Sequence, residues 1–111
     1  MMATPNDWFY DWSQNNLGKV VGAGRNYEGY GTKISATTGW PDFLIKLPGG
    51  ELGFFEVKDG TKREPASPAQ VEAMRELESL GVVVQFAVKN KENGFDLMSI
   101  DEFLKKYGVW K

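Results

Sequence analysis

An α/β fold is predicted by three features of this 111-residue chain: a hairpin pattern at its centre, capped helix starts on either side, and a valine-rich run behind a glycine. Phe43, Ile45 and Leu47 alternate with Leu44 and Lys46, Pro48-Gly49-Gly50 makes a turn, and Leu52 to Lys58 resumes the β pattern. With Leu47 and Glu51 flanking a three-residue loop, Asp42 falls opposite Glu56.

The first helix opens at Thr4-Pro5, an N-cap followed by a first-turn proline, takes Asp7 as its first-turn acid and runs to about Asn16. Trp8, Phe9 and Trp12 supply its apolar face, and Gly18 ends it. Residues 19–40 mix short β-prone pieces, Val20-Val21 and Lys33-Ile34-Ser35, with scattered glycines, which predicts one irregular strand plus a long loop. Gly22, Gly24 and Gly29 lack the GxGxxG spacing and no Gly-Lys-Ser/Thr follows, so a turn-rich segment is expected there rather than a nucleotide loop. Ser67, Pro68 and Gln70 form a capping box that starts a second helix over 68–80. Val71, Met74, Leu77 and Leu80 recur at helical spacing as its core face, with Glu72, Arg75, Glu76 and Glu78 on the solvated side. A strand over 82–88, a turn at Asn90 to Gly94, an edge strand in Phe95 to Ile100 and a final helix from the Ser99/Glu102 capping box through Lys106 complete the order.

Composition narrows the chemistry. With 41% hydrophobic residues the chain suits one globular domain, 1–111, with a small core. Cysteine and histidine are both absent, which excludes thiolate and imidazole zinc sites, cysteine nucleophiles, Ser-His-Asp triads and a histidine base. Carboxylates, lysine, hydroxyls and amides remain. No apolar run reaches the roughly 20 residues that span a bilayer, and the N-terminus has no charged-then-apolar leader, so a soluble, cytoplasmic protein without membrane association is expected. Thirteen Lys and Arg against fifteen Asp and Glu give a net charge of -2, so nucleic-acid binding would need a local basic surface.

The hairpin raises the chemical question. Lys58 lies two residues past Glu56, and strand side chains alternate, so Asp42, Glu56 and Lys58 share one face while Phe55 and Val57 point into the other layer. Two carboxylates facing each other across a strand pair repel. Lys58 offsets part of that charge, and a hard divalent cation, Mg²⁺ or Mn²⁺, suits two carboxylates better. The alternative is an aspartate that merely starts a strand, with Glu56 and Lys58 on an ordinary solvated face.

Pro41-Asp42, thirteen residues, then Glu56-Val57-Lys58 resembles the PD-(D/E)XK nuclease signature. Gly39-Trp40-Pro41-Asp42, Pro48-Gly49-Gly50, Glu56-Val57-Lys58, Lys62-Arg63, Ser67-Pro68-Ala69-Gln70, Gly81 and the run Val82 to Val88 follow one another as in the virus-type replication-repair nuclease (VRR-NUC) domains of that superfamily, a resemblance covering residues 33 to 90. It implies a restriction-endonuclease-like core: a mixed sheet centred on the hairpin and flanked by helices. It also implies Mg²⁺- or Mn²⁺-dependent phosphodiester hydrolysis, with Asp42, Glu56 and the Val57 carbonyl as metal ligands, Lys58 positioning or deprotonating water, and Gln70 at the edge of the site. Such domains carry a glutamate on the first helix; no glutamate precedes Glu28 here, and Asp7 and Asp11, one helical turn apart, are the available substitutes. Dipole compensation for Asp7 and plain solvation for Asp11 explain them equally well.

Stand-alone phage members resemble homodimeric enzymes of DNA repair and recombination that cut branched DNA such as Holliday junctions, which implies DNA and a second copy of this chain as partners, in the host cytoplasm if phage-encoded. Arg25, Lys33, Lys62 and Arg63 are the expected DNA contacts. Trp40 and Tyr30 would be buried in the core, pack a dimer or stack on bases. Two alternatives stay open: a restriction-type or exonucleolytic member of the same superfamily, and a non-catalytic DNA-binding module.

Overall fold

The computed structural model describes residues 4–23 and 39–110. Its elements run α1 (Pro5–Asn16), β1 (Lys19–Ala23), β2 (Phe43–Lys46), β3 (Leu52–Asp59), a 3-10 turn (Gly60–Lys62), α2 (Pro68–Ser79), β4 (Val83–Lys89), β5 (Phe95–Met98) and α3 (Ile100–Tyr107). The five strands form one mixed sheet in the order β1-β2-β3-β4-β5. β3 and β4 are parallel and the other neighbours antiparallel. The parallel step requires a crossover, and α2 supplies it.

The hairpin has the predicted register. Phe43 faces Phe55, Leu44 faces Phe54 and Lys46 faces Leu52, and Pro48-Gly49-Gly50 closes the turn with Gly50 at φ +90. Strand alternation sorts the core into two layers. Phe43, Ile45, Phe55, Val57 and Ala87 pack against Phe9 of α1, whereas Leu44, Phe54, Val84, Phe86 and Val88 pack against Met74 and Leu77 of α2 and Ile100 and Phe103 of α3. Phe86 and Phe103 stack with centroids 3.8 Å apart, and burying each such ring contributes about 1.5–3 kcal/mol.

Two expected core residues lie elsewhere. Leu80 is the C-cap of α2 and 76% exposed, because the helix stops at Ser79 and Gly81 takes φ +86 to turn the chain into β4. Trp8 is 42% exposed, since Phe9 points into the sheet and its immediate neighbour is rotated off that face. Trp12 does pack on Phe9 and Phe95. All three helices open with the capping boxes read from the sequence or built the same way, at Thr4/Asp7, Ser67/Gln70 and Ser99/Glu102.

Candidate active site

Where β2 begins and β3 nears its end, Asp42 and Glu56 meet. The hairpin register sets them opposite each other just beyond the Phe43–Phe55 pair. Asp42 Oδ2 accepts a hydrogen bond of 3.0 Å from the Val57 backbone N–H. In a strand the N–H and C=O of one residue point to the same side, so the Val57 carbonyl faces the Asp42 side of β3 as well.

Glu56 and Lys58 are only 3% and 4% exposed, which replaces the expectation of a solvated face with a buried charge cluster. A buried charge needs partners. Glu56 Oε2 accepts from Gln70 Nε2 at 3.0 Å, and Gln70 Oε1 accepts from Lys58 Nζ at 2.9 Å and from the Ser67 N–H at 2.9 Å. Lys58 Nζ also lies 3.4 Å from Glu64 Oε2. Gln70 therefore holds the capping box and joins Glu56 to Lys58 with one amide, so its local and site readings coexist.

Gly39 brings these parts together. Its φ is +87, and a Cβ there would lie 2.4 Å from the Ala69 carbonyl oxygen. Only a glycine lets the segment ahead of Asp42 lie against the first turn of α2, where Gln70 begins its reach. The loop into α2 is held from the other side: Ala66 pairs with Val109, and the Trp110 N–H donates to the Ala66 carbonyl at 2.8 Å.

Glu56 Oε1 is buried and meets no donor; the group beside it is the Asp42 carboxyl, another acceptor. Burial pushes the Glu56 carboxyl well above the ordinary glutamate range, the Asp42 charge and the shared contact raise it further, and the Lys58 ammonium opposes the shift. Burial also raises Asp42, opposed by the Val57 N–H, by Glu56 and Lys58, and by the Asn6 side chain. Both carboxyls are thus disposed to share a proton, and the space between them calls for a proton or a cation. Two carboxylates with a carbonyl on the same side offer hard oxygen donors, the set that Mg²⁺ and Mn²⁺ prefer. The orphaned oxygen is the feature that fits such an ion. Among the described residues no group of three or more acidic side chains converges, so the carboxylate contribution is this pair.

The remaining predicted residues lie apart. Asp7 is spent on its own helix, accepting from the Thr4 N–H at 2.9 Å and the Thr4 hydroxyl at 3.1 Å, and Asp11 is exposed. From α1, the exposed Asn6 side chain is the group that favours the ionised Asp42, the smallest of the effects on it. Lys62 is exposed beside a groove of about 430 Å³ shared with Pro5, Asp59, Glu64, Pro65 and Trp110. Arg63, at φ 52, donates to the Lys106 carbonyl at 3.3 Å and covers the Tyr107 ring, so its guanidinium holds the end of α3. Trp40 is half-buried against Phe54. Arg25, Lys33 and Tyr30 fall outside the described residues.

Two members of the network were missed from sequence, Asn6 and Glu64. A search restricted to acids on the first helix passes over Asn6, although it adjoins Asp7; a loop read as basic hides Glu64 behind Lys62-Arg63. No helix among the described residues is long and apolar enough to cross a membrane. Comparison of the chain with protein-family models, with curated proteins and with solved structures returned no match.

Proposed function

We propose that the chain is a metal-dependent DNA endonuclease of the PD-(D/E)XK type and the VRR-NUC branch, hydrolysing phosphodiester bonds in branched DNA during replication, repair or recombination. The observation that carries this reading is the buried, donorless Glu56 Oε1 against Asp42, with a buried Lys58 on the same strand face. Such an arrangement is costly in a metal-free protein and serves no packing role. The five-stranded mixed sheet with its central hairpin is compatible with a restriction-endonuclease-like core.

In this mechanism Asp42, Glu56 and the Val57 carbonyl would hold Mg²⁺ or Mn²⁺. Bound there, the ion would supply Lewis acidity to activate water and to offset charge on the phosphorane-like transition state. The chain's own groups prepare the rest. Gln70 Nε2 fixes the Glu56 rotamer, and the Val57 N–H fixes Asp42. Lys58, tethered to Gln70 and Glu64, presents its ammonium beside the carboxyl pair, where it orients the attacking water or a non-bridging phosphate oxygen. With no histidine in the chain, proton movement falls to water, Lys58 and the carboxyls.

Branched DNA as substrate and a homodimer as the working form complete the reading, in the cytoplasm of the cell or of a phage host. A two-fold dimer sets two sites across a two-fold junction. Exposed Trp8, Val109 and Trp110 are apolar surface for that contact. The test is cleavage, with Mg²⁺, of four-way junction, flap, splayed-arm and linear DNA by the wild-type chain and Asp42→Asn. Cutting of junctions by wild type alone is expected. Equal cutting of linear duplex assigns the restriction-type or exonucleolytic alternative, and DNA binding without any cutting assigns the non-catalytic module.

A further inference from the structure

Lys89, at the end of β4, is only 9% exposed, yet none of the ion pairs among the described residues includes it. Its Nζ donates to the Asn90 carbonyl at 3.1 Å and sits 4.8 Å from the centroid of the Trp8 ring. A carbonyl and a ring face lower the cost of burying an ammonium without neutralising it. Lysine is rarely this buried unless paired with an anion.

Lys89 also borders an open recess of about 170 Å³, together with Lys91 of the β4–β5 turn and Lys106 of the last turn of α3. Lys91 and Lys106 are exposed. Asp96 is the carboxylate among the lining residues, and the Asn90 amide donates to it at 3.3 Å. Three ammonium groups against one carboxylate leave the recess strongly positive within a chain of net charge -2. Gly60 and Thr61 of the 3-10 turn and Tyr107 complete the lining.

Register ties this recess to the carboxyl pair. Lys89 is opposite Asp59, and Val88 is opposite Lys58, in the parallel β3–β4 ladder, so both sites lie at the same end of the sheet. β2, which carries Asp42 at its start, is two strands from β4, about 10 Å across the sheet at about 4.8 Å per strand, and Lys89 lies three residues past Phe86, the partner of Glu56, about 10 Å along the strand at about 3.3 Å per residue. A nucleic-acid strand engaged at one site passes within reach of the other.

We propose that this recess binds a backbone phosphate of DNA, with Lys91 and Lys106 closing on the anion from the rim and the unneutralised charge of buried Lys89 adding to the field behind them. The choice of a phosphodiester over a free phosphate rests on the nuclease reading; the recognition chemistry is common to both. It supplies the local basic surface that the acidic composition demands, on lysines other than those expected from sequence.

The test measures DNA binding to a labelled four-way junction in EDTA across a salt series, for wild type, Lys91→Ala/Lys106→Ala, and Lys46→Ala, which alters an exposed lysine on β2 near the hairpin turn. Losing one phosphate contact should lower the slope of log affinity against log salt by about 1 and weaken binding roughly tenfold in the double variant only. Unchanged slope and affinity in the double variant overturns the proposal, as does an equal loss in Lys46→Ala. Inorganic phosphate at matched ionic strength forms the second arm. If it raises the melting temperature of wild type but not of the double variant, while DNA binding is unaffected, the recess is a free-anion site and the DNA assignment falls. Wild-type DNA binding that depends on Lys91 and Lys106 but leads to no cleavage with Mg²⁺ or Mn²⁺ retains the recess and rejects the nuclease reading.

Discussion

Glu56→Gln separates the folding cost of the carboxyl pair from its role. The substitution keeps the side-chain shape and removes one charge. Its amide oxygen takes over the hydrogen bond from Gln70 Nε2, and its amide N–H faces Asp42, where two acceptors now meet. A buried acceptor without a donor costs about 1–3 kcal/mol. For 111 residues the unfolding entropy is about 0.2 kcal/mol/K, so each kcal/mol moves Tm by about 4 °C. In EDTA, above the Glu56 titration, the variant is expected to melt about 4–12 °C above wild type and to have lost cleavage.

The pH dependence carries a defined sign. Both carboxyls titrate above their ordinary values in the folded chain, chiefly through burial. Their contribution to stability is thus fully present below the ordinary carboxylate range, and it is lost as pH rises through the raised Glu56 value. Metal-free wild type should lose stability over that rise, and Glu56→Gln should flatten the profile. Mn²⁺ at a hundred times its Kd should restore about 2.7 kcal/mol to wild type, about 11 °C, and much less to the variant. Calorimetry at several pH values, with EDTA and with Mn²⁺, reads all of this. A variant that melts below wild type in EDTA at every pH up to the alkaline end of the profile, or a wild-type Tm indifferent to Mn²⁺, refutes the reasoning.

Asp42→Asn should abolish cleavage while leaving the far-UV spectrum and Tm intact or raised, and undiminished cutting by the purified variant would sink the nuclease assignment. Gly39→Ala forces a positive φ on a residue with a Cβ and drives that atom into the Ala69 carbonyl, so a loss of about 1–3 kcal/mol is expected together with weakened Mn²⁺ stabilisation; a neutral result would show that the 39–42 segment does not depend on this close approach. Asp7→Asn should lower stability by about 0.5–1 kcal/mol through the α1 cap, and Asp11→Asn should stay within about 0.5 kcal/mol, with Mn²⁺ affinity unchanged in both; weaker Mn²⁺ binding in either would return that aspartate to the metal site. Sedimentation at assay concentrations should show a dimer that Trp110→Ala weakens, and a strict monomer that still cuts junctions symmetrically would remove the two-site argument.

The hairpin was legible because its rules are local. Turn length fixes register and register fixes which residues face each other, so Asp42 and Glu56 could be paired from their numbers alone. Burial was not legible. Whether Glu56 and Lys58 face water depends on α2 covering that sheet face, and α2 is brought there by the Gly39 contact and the Ala66–Val109 bridge, both long-range. Trp8 and Leu80 fail for a related reason: helical spacing identifies a stripe but not its edge, and one residue of rotation or one residue of helix length moves a side chain from core to solvent. Asn6 and Glu64 were overlooked because a search for metal ligands selects acids near motifs, whereas an amide that favours an ionised aspartate and an acid that holds a lysine have no motif of their own.

Charge in the cluster gives the last constraint. Glu56 is raised by the charge of Asp42 and, less, by that of Glu64, and lowered by the single ammonium of Lys58, so negative charge is in excess around the buried pair. On the proposed reading proton and cation would compete for the same oxygens, and cation binding would release a proton held by the pair. Mn²⁺ stabilisation should grow as pH rises through the Glu56 titration, while the metal-free protein weakens over the same interval. Glu64→Gln tests this excess, because it removes one negative charge without touching Asp42 or Glu56. The Glu56 carboxyl should then titrate closer to its ordinary value, and Mn²⁺ should bind more weakly. Unaltered Mn²⁺ affinity in Glu64→Gln would place Glu64 outside the electrostatics of the site.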